Sequence, residues 1–318
     1  MTSYDIYEKK KGHIKNIRSI ILSIAFTAFI FVSAIFLSDE LSLYVAEGLL
    51  LAIKVIIPSV FPFLILTDFS MRFIRFERIE LLRNTFERIF KVNGCALPVF
   101  ICGIICGFPV GARLSLMLYE NKKISRDECE RLMSFSNNAS PGYVICAVGA
   151  GMRGSLRDGI ILYLAMVISS IICGALSGIK KEKSNISSEI SWQKYNFVNS
   201  TRDAAMVCFN IAGFVTVFSM LSGLLRKFVS NEYLFASLIP ILEIGNAAMY
   251  LSDLKILPDL LALALTSFSI SFSGLCVAAQ TAALVNKSEN LKLHKYISLK
   301  LLQGVISAVL VVLFSFIK

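Results

Sequence analysis

Long apolar runs alternate with short polar stretches along most of the chain. A helix needs about 20 apolar residues to cross the hydrocarbon core of a membrane, so the longer runs predict membrane spans. The predicted spans cover residues 17–37, 41–68, 143–148 with the helix upstream of it, 160–179, 204–225 and 305–317. The pattern therefore predicts an all-α polytopic membrane protein rather than a soluble one.

Two apolar stretches in the first half are interrupted in their middle. Residues 97–118 are long enough to cross, but Gly and Pro at positions 107, 109 and 111 break the helical pattern. This predicts a re-entrant hairpin made of two half-length helices. A second helix begins at the capping pair Ser125 and Glu128, and it ends in the polar sequence SFSNNASPG at residues 134–142. Two half-helices that meet at a polar break are predicted there.

The same order of elements recurs in the second half. A span at residues 204–225 precedes a short apolar segment, residues 234–250, which is broken at residues 243–246. Residues 257–283 follow, interrupted by the serine-rich stretch 267–274. The tripeptide Ser-Phe-Ser occurs at corresponding places in the two halves and sets the register of a repeat of about 80 residues.

These elements predict one membrane domain with internal subdivisions. Residues 71–91 mix arginines with large apolar side chains, as in an amphipathic helix that lies at the membrane surface. The predicted subdivisions are 1–94 (spans and this interfacial helix), 95–179 (repeat 1), 180–200 (cytosolic linker), 201–233 (connecting span) and 234–318 (repeat 2).

Charge adds an orientation to this prediction. The chain has a net charge of +10 and is 56% hydrophobic, but its basic residues lie in short loops between apolar runs. Basic residues in such loops determine how the spans are oriented, and most of them fall on one side of the membrane when the N-terminus is cytosolic. Because orientation accounts for the positive charge, nucleic acid is not predicted as a partner. In this orientation the two hairpins enter from opposite faces, and the repeats are inverted, as in many secondary transporters.

The breaks carry the candidate substrate-binding residues, because unwound backbone in a membrane has to be buried in protein or line a polar cavity. Asn and Ser side chains offer hydrogen-bond donors and acceptors, and the half-helices after Pro109 and Pro141 present N–H groups to an anion. The alternative is that these residues only hold helices together. The candidates are Gly107, Pro109, Gly111, Arg113, Ser136, Asn137, Asn138, Ser140, Gly142, Glu243, Asn246, Ser269, Ser271 and Ser273.

Two charged candidates leave several roles open. Arg113 follows the first hairpin tip, where it could bind a carboxylate, pair with Glu243 in the opposing hairpin, or extend to the membrane surface. Glu243 could instead accept a coupling ion, Na+ or H+. Lys300 is assigned to the interior or edge of a helix without a role. The eight cysteines are interpreted as packing residues, no metal site or cofactor is predicted, and no hydrolase or ATP-binding motif indicates an enzyme.

Three segments resemble a known family. Residues 106–113 (CGFPVGAR), 130–138 (ERLMSFSNN) and 148–152 (VGAGM) are similar to the YlbJ-like sporulation integral membrane proteins, which carry a nucleoside-recognition gate domain. The resemblance follows the order of elements through most of the chain and is looser in the second half. It implies a layout similar to concentrative nucleoside transporters and supports a binding role for residues 107–113 and 136–142.

The resemblance also implies a function and a location. The implied function is movement of dipicolinic acid, a small aromatic dianion, from the mother cell toward the forespore. The implied location is the mother-cell-derived outer forespore membrane. The alternatives are a nucleoside-type transporter and a non-transporting structural component of a spore-membrane assembly. The expected partners are the lipid bilayer, a small solute, and either further copies of the chain or other spore-membrane proteins.

Overall fold

The computed structural model of this chain describes residues 36–73, 80–184, 196–285 and 291–316. All regular structure within these ranges is helical, and five helical stretches are long and apolar enough to cross a membrane. They are Ser38–Leu66, Leu156–Gly178, Phe197–Phe228, Asp259–Val285 and Leu293–Ser315. The predicted polytopic helical membrane fold is confirmed, while nearly all of the predicted span at 17–37 lies outside the described residues.

The helices fall into three groups along the chain. The first group is α1 (Ser38–Leu51), which continues through a π-helical turn at Ala52–Ile56 into α2 (Ile57–Phe73), followed by α3 (Glu80–Phe90). The second is α4 (Leu97–Cys106), α5 (Val110–Glu120), α6 (Arg126–Ser136), a π-helical segment at Gly142–Met152, and α7 (Leu156–Gly178). After the connecting helix α8 (Phe197–Phe228) come α9 (Glu232–Leu242), α10 (Ile244–Asp253), α11 (Asp259–Phe272), α12 (Gly274–Val285) and α13 (Leu293–Ser315).

Four interruptions separate the short helices, and we call them break 1 (residues 107–109), break 2 (residues 137–141), break 3 (Glu243) and break 4 (Ser273). The second and third groups therefore each have two broken pairs of short helices followed by one helix of 23 residues, α7 or α13. The two long helices pack against each other. This order of elements is the one that the sequence repeat predicts.

Break 4 is narrower than the predicted interruption at residues 267–274. Residues 267–272 are helical, and only Ser273 leaves the helix, with φ of 72°. Two of the serine hydroxyls have partners on other helices: Ser267 Oγ lies 2.7 Å from Ser307 Oγ, and Ser269 Oγ donates to the Pro240 carbonyl at 3.2 Å. Because these hydroxyls are satisfied between helices, a serine-rich sequence stays helical in an apolar environment.

Glycines bring the first hairpin close to the end of α6. A methyl group on Gly103 would lie 1.9 Å from the Ser136 carbonyl oxygen, and one on Gly111 would lie 2.2 Å from it. Both distances are far below van der Waals contact, so only glycine allows this approach. The packing places break 1 directly against break 2.

Two predicted helix starts differ from the structure. Helix α8 begins at Phe197 rather than at residue 204, with Asn196 as its cap, and α13 begins at Leu293 rather than at residue 305. The added turns carry polar residues that contact protein: Asn137 donates to the Tyr296 hydroxyl at 3.0 Å. The apolar pattern missed these turns because both are rich in polar residues: those of α13 include Tyr296, whose hydroxyl is satisfied inside the protein, and those of α8 are mostly exposed.

The amphipathic helix α3 uses part of its apolar face to pack on protein. Phe86 and Phe90 are buried, and the Phe90 ring stacks on Phe135 at a centroid distance of 4.9 Å. Leu81 and Leu82 remain exposed. This exposed face agrees with a helix at the membrane surface, although residues 74–79 of the predicted segment lie outside the described residues.

A network of charges anchors the first turn of α6. The predicted capping box between Ser125 and Glu128 is present, and Asp127 accepts hydrogen bonds from Arg131 (2.9 Å), Lys181 (3.1 Å) and Lys295 (3.2 Å). Burial acts to raise the pKa of Asp127, but the bonds from Lys181, Arg131 and Lys295 outweigh it and lower the pKa from 3.8 to about 2. This network joins α6 to the end of α7 and the start of α13.

The lowered pKa of Asp127 predicts a pH-dependent contribution to stability. A depressed carboxylate pKa stabilises the fold above the unfolded pKa, near 4, and this contribution is lost as the pH falls toward 2. Asp127→Asn should therefore lower the melting temperature in detergent at pH 6, and the difference from wild type should close between pH 4 and 2. Asp253→Asn, at an exposed carboxylate, is the control. A difference that did not change with pH would contradict the assignment.

The glycine packing predicts that two Gly→Ala variants differ in stability. Gly103→Ala should destabilise the protein by about 1–3 kcal/mol, because the added methyl meets the Ser136 backbone. Gly213→Ala on α8 should be neutral or slightly stabilising, because nothing lies within 4 Å of the added methyl and alanine favours a helix. Thermal unfolding of both purified variants measures the difference, and equal melting temperatures would refute the close packing.

Candidate functional site

The four breaks surround one small central cavity of about 50 Å³. Each break contributes residues or its immediate neighbours: Phe108 from break 1, Ala139 and Ser140 from break 2, Glu243 of break 3, and Cys276 shortly after break 4. The remaining lining residues are Ile56, Val60, Tyr143, Ile211, Val215, Ile244, Val277 and Gln280. The cavity has room for about one or two water molecules and is too small to hold a solute.

Glu243 supplies the acidic side of the cavity. Its side chain is buried and caps α10 by accepting hydrogen bonds from the backbone N–H groups of Gly245 (2.9 Å) and Asn246 (2.6 Å). The Asn246 side-chain amide donates to the same carboxylate at 2.9 Å and to Ser219 Oγ at 2.7 Å. Among the described residues no cation pairs with Glu243, so the carboxylate is held by the helix N-terminus and one amide.

A buried lysine lies behind break 2. Lys300 on α13 is 1% exposed, and its ammonium donates to Gln303 Oε1 at 3.0 Å, Asn138 Oδ1 at 3.2 Å and the Ser271 carbonyl at 3.5 Å. Gln303 Nε2 donates to the same Asn138 oxygen at 2.9 Å. We call Asn138, Ser271, Lys300 and Gln303 the lysine cluster. It connects break 2 of the first repeat to the last turn before break 4 in the second.

Sequence reasoning had given Lys300 no functional role, whereas the structure buries it in a polar cluster beside break 2. A lysine in the interior of an apolar span is rare, and it usually marks a functional site. The available signal was the spacing of Lys300 and Gln303, three residues apart in an otherwise apolar helix, which puts both polar groups on one face. The late predicted start of α13 had left Lys300 outside the span.

The remaining polar candidates of the first repeat form hydrogen bonds or close polar contacts with nearby residues. Asn137 donates to the Tyr296 hydroxyl at 3.0 Å and to Thr281 Oγ1 at 3.3 Å. Ser140 Oγ accepts from the Tyr143 N–H at 3.2 Å, and Ser136 Oγ lies 3.4 Å from Ser115 Oγ. These contacts fit both helix packing and substrate binding, which are the two interpretations that the sequence left open.

The ion-pair partner of Arg113 is not the one that the sequence suggested. Its guanidinium Nη2 lies 3.3 Å from Asp203 Oδ2 on α8, and the two side chains are 39% and 53% exposed. The predicted ion pair with Glu243 is therefore wrong in this structure. The prediction missed Asp203 as a partner because α8 had been started at residue 204, one residue after it.

A wider groove reaches break 2 from outside. It has a volume of about 680 Å³ and is formed by the turn at Ala52–Ile56, α2 and the segment Gly142–Met152. Lys54, Ser59, Phe63 and Gly142 are among the residues that line it. This volume falls in the range of small-molecule sites, whereas the central cavity does not. The groove is therefore large enough to hold a small molecule beside Gly142, the residue that follows break 2.

Comparison with known proteins gives one informative match. The chain is 26% identical to the sporulation integral membrane protein YlbJ of Bacillus subtilis (strain 168) over 332 residues, covering 90% of this chain and 80% of that protein. No protein-family model and no solved structure matches the chain. This similarity confirms the resemblance to YlbJ that the residues around breaks 1 and 2 indicate.

The lysine cluster predicts that replacing Asn138, its shared hydrogen-bond acceptor, strongly lowers the stability of the protein. Asn138→Leu keeps the side-chain size but leaves the Lys300 ammonium and the Gln303 amide short of an acceptor, so we expect a loss of about 2–5 kcal/mol. Asn121→Leu, at an exposed helix end, should cost about 0.5 kcal/mol or less. Thermal unfolding in detergent compares the two variants.

The double variant Asn138→Leu with Lys300→Met tests whether the unpaired ammonium causes the loss of stability in Asn138→Leu. If the loss comes from the unpaired ammonium, replacing the lysine should recover part of the stability of Asn138→Leu. Additive losses in the double variant would instead mean that Asn138 stabilises the fold through its other contacts, with the Phe135 carbonyl and Ser170.

Proposed function

We propose that this YlbJ-like membrane protein is a sporulation transporter or facilitator for a small anionic or heterocyclic solute. The leading candidate is dipicolinic acid, moving from the mother cell toward the forespore across the outer forespore membrane, with the N-terminus cytosolic. The observation that carries the proposal is the convergence of four helix breaks on one cavity between two similarly ordered repeats. The similarity to a sporulation integral membrane protein supports the biological setting.

The closed cavity fits one state of an alternating-access cycle. The hairpins α4–α5 and α9–α10 meet near the cavity, and a shift of either one would enlarge it toward one face of the membrane. The groove at break 2 offers a route that is already open to about 680 Å³. In this mechanism the solute enters along the groove, and break 2 moves to connect the groove with the cavity.

The polar contacts at the breaks suit such movement. Asn137, Asn138 and Glu243 contact hydroxyl, amide and carbonyl groups, whose hydrogen bonds can exchange for bonds to a solute or to water. Tight apolar interdigitation between the same elements would resist separation. In the closed state the polar groups at the breaks are thus hydrogen-bonded within the protein, and the same groups can bind a polar solute when the breaks move.

Flux through reconstituted protein tests the proposal directly. Proteoliposomes that contain the full chain should take up labelled dipicolinate faster than empty liposomes, because the cavity and its polar breaks provide the path. Lys255→Gln, at an exposed loop residue, serves as the matched protein control and should transport normally. Imposed sodium and proton gradients, applied separately, identify a coupling ion.

The same assay separates the alternatives. Uptake of nucleosides without dipicolinate would replace the anion proposal with a nucleoside transporter. No uptake of either, by protein that remains folded in the liposomes, would favour a structural component of a spore-membrane assembly. Deletion in the spore-forming host provides the cellular check: dipicolinate should fall in spores and accumulate in mother cells, and unchanged spore dipicolinate would contradict the proposal.

A further inference from the structure

We infer that Lys300 binds a carboxylate group of the transported solute, and that Phe108 closes this site in the present conformation. The inference rests on the proposed transport function and assigns its anion-binding group. It concerns small carboxylates as a chemical class, of which dipicolinate is one member.

The first argument is the unbalanced charge of the lysine cluster. The three oxygens around the Lys300 ammonium belong to two amide side chains and one backbone carbonyl, which are all neutral. Among the described residues every ion pair lies elsewhere, and none includes Lys300. A buried ammonium without a counter-ion is costly, so an anion that reaches it gains a strong, charge-assisted interaction.

The second argument is an unused hydroxyl on Ser271, a residue of the lysine cluster. Ser271 Oγ is fully buried and makes no hydrogen bond within the described part of the chain, while the carbonyl of the same residue lies 3.5 Å from the Lys300 ammonium. A carboxylate has two oxygens, and it can accept one hydrogen bond from an ammonium and another from a hydroxyl. Lys300 and Ser271 thus provide the two donors that a bound carboxylate requires.

The other anion-binding groups near the cavity are already in use. The N-terminal N–H groups of α10 at Gly245 and Asn246 donate to Glu243. After break 2, the N–H of Tyr143 donates to Ser140 Oγ and that of Val144 to the Ser140 carbonyl. Of the two helix ends that the sequence favoured for an anion, the one after Pro141 therefore has internal acceptors, and after Pro109 the Val110 N–H donates to the Gly107 carbonyl at 3.0 Å. Lys300 is left as the buried cation nearest to the breaks.

Phe108 separates the lysine cluster from the central cavity. Its ring lies 5.6 Å from the Lys300 ammonium and also forms part of the cavity wall. Phe108 belongs to break 1, where no continuous helix fixes the backbone, so a rotation of the ring or a shift of the hairpin opens the path. Asn138 of the cluster is adjacent to Ala139, which lines the same cavity. The cavity is thus one side chain away from the ammonium.

A purely structural role for Lys300, as a connection between the repeats, is the competing explanation. The two roles differ in how they depend on ligand charge. A charge-binding lysine discriminates dipicolinate from its uncharged isostere, pyridine-2,6-dicarboxamide, because the two ligands have the same ring and nearly the same shape. A structural lysine affects the binding of both ligands equally.

The experiment measures the affinities of both ligands for purified full-length protein in detergent. We expect wild type to bind dipicolinate at least about 10-fold more tightly than the diamide, and Lys300→Gln to reduce this ratio to near one. Lys300→Arg should keep much of the preference, and Lys255→Gln should match wild type. A preserved ratio in Lys300→Gln, or an equal weakening of both ligands, would overturn the inference while leaving the transport proposal intact.

A second variant tests the inference even if Lys300→Gln does not fold. Phe108→Ala removes the ring between the cavity and the ammonium, so the association rate of dipicolinate should rise several-fold, and that of the diamide should change less. An unchanged dipicolinate rate would contradict the closing role of Phe108. If wild type neither binds nor transports either ligand, the proposed function itself fails, and the inference fails with it.

Discussion

The structure depends on one constraint: a helix that breaks inside a membrane must find partners for its freed backbone groups within the protein. Break 2 shows how this is met. The Phe135 carbonyl accepts hydrogen bonds from the Asn138 amide at 2.8 Å and the Ser170 hydroxyl at 2.7 Å. At break 3, Glu243 satisfies the first N–H groups of α10 with its own side chain. At these two breaks, groups of the protein itself satisfy the freed backbone.

This constraint also explains why the two repeats pack so closely. Asn138 belongs to the first repeat, but its oxygen accepts from Lys300 and Gln303 of the second. Asn137 likewise reaches Tyr296 and Thr281 across the same boundary. Neither repeat satisfies its polar groups alone, so the pair forms a folding unit. The contacts that stabilise the unit are the ones that a transport cycle would have to exchange.

The sequence predicted the breaks well because their signals are local. Glycine and proline at residues 107–111 disrupt a helix wherever it lies, and the box of Ser125 and Glu128 needs only neighbouring residues. Predictions that depend on distant partners were less successful. Residues 267–272 remained helical because Ser267 and Ser269 find partners on other helices, and Arg113 pairs with Asp203 on a helix whose start was misjudged.

The arrangement of Glu243 and Lys300 says most about what the cavity is suited to hold. A protein under selection for stability alone gains by pairing two buried opposite charges or by replacing them with apolar residues. Here each charge is supported by neutral groups, and among the described residues neither forms an ion pair. Glu243 faces the cavity, and Lys300 lies behind the Phe108 part of its wall. If Phe108 moves as proposed, the Lys300 ammonium offers an anionic solute an interaction that an uncharged one such as a nucleoside lacks, and this supports the proposed class of solute.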